Sequence, residues 1–428
     1  MAIILKEGKV MVKDRKKYDL SSLLCAVMLS AEFLVTPITY FFGMNDNANL
    51  FILIIEFLLF LFLILFDIKS IKFHMATIFL MVFVSLFYMI SLVLSSTNLS
   101  IIQYVFYFIV PLIVIGFDIN FENVLKNMCY ISLISLFCLN QYFVIEYSSL
   151  SQASMGSSYS VATICSAIIV HFMFYRKKTN VFIWTSYVLF FFLMFKLFEY
   201  GNRGAVIVPF IALFISLYVK GVIKYKKIFK FIVFVLFILI LVALYNYQNV
   251  IENIYNFYVN NNYSVPSFLY KFHVLVLESN FDNNRTALYE LVLSCIKKSS
   301  FFGYGLDNFG SVSNYNYSWT HNFVLQYIID GGIIFAFILL LYVLNPLIYF
   351  VKAIQNKHID NIIIFCIFIF SVSLFRFSVS NDPWLSTIFN SLLGFSSVLL
   401  DKYTKSNSNR NKLQCFELDY GKKLKEES

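Results

Sequence analysis

Apolar runs of about 20 residues recur along this chain, and lysine and arginine gather at alternate junctions between them. Wound as a helix, a run of that length crosses the roughly 30 Å hydrocarbon layer of a bilayer. A β-barrel is excluded, because its strands would be short and alternate apolar with polar residues. Only 13% of residues are charged and 60% are hydrophobic, whereas soluble domains carry about 25% charge. The chain therefore reads as an all-α polytopic membrane helical bundle.

Twelve transmembrane spans fit best, at 20–42, 50–66, 73–95, 99–117, 124–146, 155–174, 181–199, 204–219, 228–245, 321–349, 360–378 and 384–400. The tenth is too long for one straight crossing and holds Gly331-Gly332 and Pro346, so an irregularity is expected inside it. With the N-terminus in the cytoplasm, 26 of the 33 lysines and arginines fall inside, six fall outside and Lys196 lies within a span. That asymmetry follows the positive-inside rule. The organisation is then a cytoplasmic tail (1–19), spans one to nine (20–245), a large external loop (246–320), spans ten to twelve (321–400) and a cytoplasmic C-terminal tail (401–428).

The net charge of +9 is not a nucleic-acid signal, because most lysines flank spans. The N-terminus has no small-residue cleavage site of the signal-peptide kind. The seven cysteines form no CxxC or Cys/His cluster, so no metal site is expected from them. No HExxH, P-loop or GxSxG motif calls for a cofactor.

The external loop is where chemistry is expected, since long loops are uncommon without a purpose. Asn283-Asn284 is placed to cap a helix from about Arg285 to Lys298. Leu288, Leu291, Val292, Cys295 and Ile296 share one face of it, which predicts an amphipathic helix on the membrane surface or on the bundle. Phe302-Gly303-Tyr304-Gly305-Leu306-Asp307-Asn308-Phe309-Gly310 follows, and its three glycines predict a tight turn with exposed amides. Thr320-His321-Asn322 then opens span ten.

The external arginines are Arg203, Arg285 and Arg376. An interfacial arginine either anchors a helix by snorkelling or clamps an anion with its planar fork of donors. Gathered at one place, the three form a diphosphate receptor; scattered, they are three surface charges. His321, at a helix start, either caps and packs or takes a proton from a nucleophilic hydroxyl. Asp330, nine residues on, either faces the same cavity or pairs with an arginine. Lys196 and Glu199, three residues apart, are placed to neutralise each other.

These elements in this order resemble the core domain of the O-antigen polymerase (Wzy) and O-antigen ligase family. The resemblance rests on Asn202-Arg203-Gly204-Ala205, Arg285, Phe302-Gly303-Tyr304-Gly305 through Phe309, and His321-Asn322 with Gly331-Gly332 after it. It covers roughly residues 185–345. Asn202 stands where serine is common in the family, and Asp330 where glutamate is.

The resemblance implies a GT-C-like, metal-independent membrane glycosyltransferase acting on undecaprenyl-pyrophosphate-linked glycans at the outer face of a bacterial inner membrane. Arg203 and Arg285 would bind the pyrophosphate, and His321 would sit at the acceptor hydroxyl. Arg376, Asn322, Asp330 and Tyr304 complete the expected substrate-binding set. A flippase and a chain-length regulator are the expected partners besides membrane lipids, with no nucleic acid. A polymerase is favoured over a ligase that delivers glycan to lipid A-core. A transporter of the same lipid-linked sugar is the competing class, and it predicts charges deep in the bundle.

Overall fold

The computed structural model describes residues 20–44, 48–67, 74–94, 97–117, 119–138, 153–178, 180–200, 203–224, 247–266, 269–270, 273–274, 285–299, 302–314, 317–355, 359–379 and 383–401. Both expected tails, span nine, Gly201-Asn202 and the Asn283-Asn284 cap lie outside the described residues. Among the described residues every regular element is a helix. Five of these helices are long and apolar enough to cross a membrane, or six if a bent pair counts as one span. The protein is thus an all-α membrane protein.

The longer helices are α1 (Leu20–Leu29), α2 (Ala31–Phe41), α3 (Ala48–Asp67), α4 (Met75–Val93) and α5 (Ile101–Ile115). Next come α6 (Phe121–Ser132), α7 (Ala153–Tyr175), α8 (Val181–Tyr200) and α9 (Arg203–Lys224). Then follow α10 (Tyr247–Asn260), α11 (Arg285–Lys298), α12 (Phe323–Gln355), α13 (Asn361–Val379) and α14 (Thr387–Asp401).

The least apolar of the five crossing helices is the most enclosed. The crossing window of α7 has a mean hydropathy of 1.5 and is 83% buried, whereas that of α4 has 2.4 and is 28% buried. The cause lies in the α7 sequence, ASMGSSYSVATICSAIIVHFMFY. Small side chains let neighbouring backbones approach closely, and in lipid, helix association depends on that packing. Its hydroxyls are satisfied within the helix: Ser160 donates to Ser157 O at 2.7 Å, Thr163 to Tyr159 O at 2.9 Å and Ser166 to Ala162 O at 2.8 Å. Helices α2, α6, α8, α9 and α13 pack around it. The leucine- and phenylalanine-rich faces of α4, α8 and α12 point outward, as a lipid solvent allows.

Several apolar-run boundaries fall near helix ends, but the expected fifth span, 124–146, is met by α6 and a short helix at Ser135–Cys138, with 139–146 outside the described residues. The first span bends by 59° between α1 and α2. Ser30 stands at the break, with its hydroxyl turned back onto Ala26 O at 2.7 Å, an i−4 bond of the kind that bends helices. The expected tenth span, 321–349, is found as α12, which breaks at Gly332 (φ 80°, ψ −179°). In α5, a π-helical turn spans Tyr104–Ile109 just ahead of Pro111.

Helix α14 supplies what two prolines withhold. Pro111 has no N–H for the carbonyl of Tyr107, four residues earlier; the Asn390 amide donates to that carbonyl at 2.7 Å. Pro346 likewise offers no N–H to Tyr342 O, and the Ser396 hydroxyl donates to it instead.

Candidate functional site

The loop after α11 docks onto the break in α12. Where α12 departs from helical geometry, the N–H groups one turn on no longer serve the carbonyls of Ile329 and Asp330. The glycine loop fills that gap: Tyr304 N–H donates to Ile329 O at 2.7 Å and Gly305 N–H to Asp330 O at 2.9 Å. Gly303 must be glycine here. Its φ is +75°, and a Cβ would lie 2.5 Å from both carbonyl oxygens. The amides expected to be exposed are therefore spent inside the protein.

Three further tethers hold the loop. Leu306 N–H donates to Ser91 Oγ at 3.1 Å, Thr97 Oγ1 donates to Leu306 O at 2.6 Å, and Asn98 Nδ2 donates to Asp307 O at 3.1 Å. The end of α4 and the segment after it thus clamp the loop from the other side.

Helix α11 runs over Arg285–Lys298, the predicted range. Leu288, Val292 and Cys295 are buried against Phe309 and Ile329, with Leu291 and Ile296 packed at the margin. The amphipathic helix therefore lies on the bundle. Tyr304 pins its C-terminal turn, since the phenol donates to Cys295 O at 2.9 Å. Burial, and then Cys295, raises the Tyr304 pKa above the ordinary phenol range, so the hydroxyl stays a donor. Arg285 opens this helix and is half-buried.

The entry to α12 is tightly bonded. Asn322 Oδ1 accepts from Val324 N–H at 3.0 Å and Leu325 N–H at 3.3 Å, an N-cap. Buried Thr320 donates its N–H to Gln326 Oε1 at 3.0 Å and its hydroxyl to Asn322 O at 2.8 Å. Gln326 Nε2 donates onward to the Asp330 carboxylate at 3.1 and 3.2 Å. Trp384, just ahead of α14, donates its indole N–H to Asp330 Oδ2 at 2.5 Å. Asp330 is 1% exposed, so a carboxylate there needs such donors.

His321 lies between Thr320 and Asn322 with φ +55°. Its Nδ1 accepts the Trp319 indole N–H at 3.1 Å. An indole nitrogen only donates, so the neutral ring carries its proton on Nε2.

Of the expected site residues, Tyr304, His321, Asn322 and Asp330 come together at the start of α12, with the α11 headed by Arg285 packed on the same helix. Tyr304, Asn322 and Asp330 spend the bonds named above on the fold. Arg376 is 1% exposed and bidentate to Glu32 on α2, at 3.0 and 3.1 Å, with its guanidinium 5.1 Å from the Tyr159 ring centre. Arg203 opens α9, but its side chain lies outside the described part. Lys196 and Glu199 form the expected ion pair at 2.9 Å.

Sequence reasoning missed Trp319, Gln326 and Trp384, and the pairing of Glu32 with Arg376. Gln326 was findable, since it precedes Asp330 by one helical turn. Trp384 and Glu32 reach their partners only through tertiary packing. No family model matches this chain, and no curated protein matches it. Among the described residues no group of three His, Cys, Asp or Glu is placed to hold a metal ion.

Proposed function

We propose that the protein is a polymerase of undecaprenyl-pyrophosphate-linked oligosaccharide repeat units, working at the outer face of a bacterial inner membrane. The observation that supports this reading is the docking of the glycine loop and α11 onto the break in α12, which sets the Gly303–Gly305 turn and the helix that Arg285 opens against the helix that follows His321. The reading includes twelve spans in a GT-C-like bundle, with both termini in the cytoplasm.

The physics suits such a substrate. The lipid tail stays in the bilayer while the diphosphate lies at headgroup depth. Arginines at that depth, Arg203 and Arg285, hold the diphosphate and stabilise the charge that develops as the glycosidic bond breaks. His321 stands beside the reacting groups. The acceptor hydroxyl of a second repeat unit attacks the anomeric carbon in one step and inverts it. The leaving diphosphate supplies the driving force, so no nucleotide is consumed.

The test uses purified protein and the lipid-linked repeat unit, with products resolved by length. Wild type is expected to make a ladder. Arg203→Ala, Arg285→Ala and His321→Ala, folded as wild type, are expected to lose about a hundredfold or more of the rate. Transfer only when lipid A-core is present would make the protein a ligase. No transfer with either acceptor would sink the enzyme reading in favour of transport.

A further inference from the structure

His321 is held in a conformation that its capping position does not require. A non-glycine residue at positive φ is strained, and such residues persist where surrounding structure over-determines them. Here Thr320 is buried and bonded to Gln326 and Asn322, and Asn322 supplies the helix cap itself. The imidazole does none of that capping. Its ring is instead fixed by Trp319, edge to face at 5.5 Å between centres and 65° between planes, with the indole N–H on Nδ1. Trp319 is the donor and His321 the acceptor, and the reverse assignment is chemically closed.

We propose that Trp319 is a positioning residue: it holds His321 as the Nε2-protonated tautomer, so that the imidazole meets the lipid-linked diphosphate as an N–H donor. This rests on the polymerase reading above. It gives His321 a different part from that of a base at the acceptor hydroxyl, because the nitrogen with the free pair is turned to Trp319. In the transfer, the acceptor oxygen bonds the anomeric carbon. The bond from that carbon to the diphosphate oxygen breaks, and its electron pair leaves on the diphosphate. The acceptor proton leaves to water on the face opposite the diphosphate, so the protein need take up none. The Nε2–H, with the arginines, offsets the charge growing on the leaving group.

The test begins with the spectrum rather than the reaction. Full-length protein labelled with ¹⁵N-histidine is placed in lipid nanodiscs, and the His321 signals are assigned by their loss in His321→Gln. The expected wild-type state is an unprotonated Nδ1 and a protonated Nε2. Inorganic pyrophosphate is expected to move the Nε2 signal and leave Nδ1 unprotonated. Trp319→Phe is expected to mix the two tautomers and to lower turnover about tenfold, with KM little changed. A protonated Nδ1 in wild type, or no response of Nε2 to pyrophosphate, overturns the proposal. So does an unchanged tautomer in folded Trp319→Phe. If Trp319→Phe does not fold, the wild-type spectrum still decides. If wild type makes no glycan, the polymerase reading falls, while the tautomer stands or falls on its own signals.

Discussion

Breaking the Glu32–Arg376 pair should cost far more from one side than from the other. Arg376 is 1% exposed and Glu32 27%, so removing Glu32 leaves a buried guanidinium without the carboxylate that offsets its charge. Removing Arg376 leaves a carboxylate that water partly reaches. Two unit charges about 4 Å apart attract by ~4 kcal/mol at an effective dielectric of 20. Losing one member of a buried pair costs ~3–5 kcal/mol, whereas replacing both by apolar groups is often neutral. Glu32→Ala is therefore expected to lose ~3–5 kcal/mol. Arg376→Met should lose ~1–2 kcal/mol after discounting for the exposure of Glu32. The double variant should recover most of the Glu32→Ala loss, giving a coupling of ~4 kcal/mol. Unfolding titrations of the four proteins in bicelles read these values directly. A coupling below ~0.5 kcal/mol, with Arg376→Met inactive but as stable as wild type, would refute the reasoning. Arg376 would then be free of Glu32 in the working protein and would belong with the substrate.

Gly303→Ala should detach the glycine loop from α12, since its Cβ would lie 2.5 Å from two carbonyl oxygens at a φ of +75°. The strain alone is ~1–3 kcal/mol, and the readout is faster proteolysis at exposed Phe302 together with a lost glycan ladder. Wild-type resistance at that site would show that the loop holds without the close approach. Ser396→Ala should destabilise the bundle by ~1–3 kcal/mol by removing the donor to Tyr342 O. Adding Pro346→Ala, which restores a backbone N–H one turn from that carbonyl, should return most of the loss in thermal midpoint. A further drop would show that the proline is not why Ser396 is needed.

Local pattern carried much of the architecture. The range of α11 and the burial of Leu288, Val292 and Cys295 follow from helical spacing alone. The Gly331-Gly332 pair and the excess length of the tenth span pointed to the break that anchors the glycine loop. What stayed illegible was partnership. The bond from Arg376 to Glu32 joins residues 344 apart in sequence, and no periodicity pairs α2 with α13. The three arginines look alike in sequence because each lies on the expected external side, near a span end or on the predicted surface helix. Packing gives Arg376 a carboxylate partner that its sequence neighbourhood does not announce. Tyr304 and Asn322 read as groups for a sugar because they are polar and external. Backbone groups left over by a helix break and a helix start engaged them first.

The two proline-relieving bonds of α14 also set a schedule for biogenesis. The Asn390 side chain that serves Tyr107 is made 283 residues after it. At about 5–20 residues per second of synthesis, α5 waits on the order of tens of seconds for that donor. Hydrocarbon offers no substitute for it. Helices that enter the bilayer early therefore cannot take their final packing one at a time. They must be held as a loose set, near water or an insertion chaperone, until α14 arrives and closes the bundle.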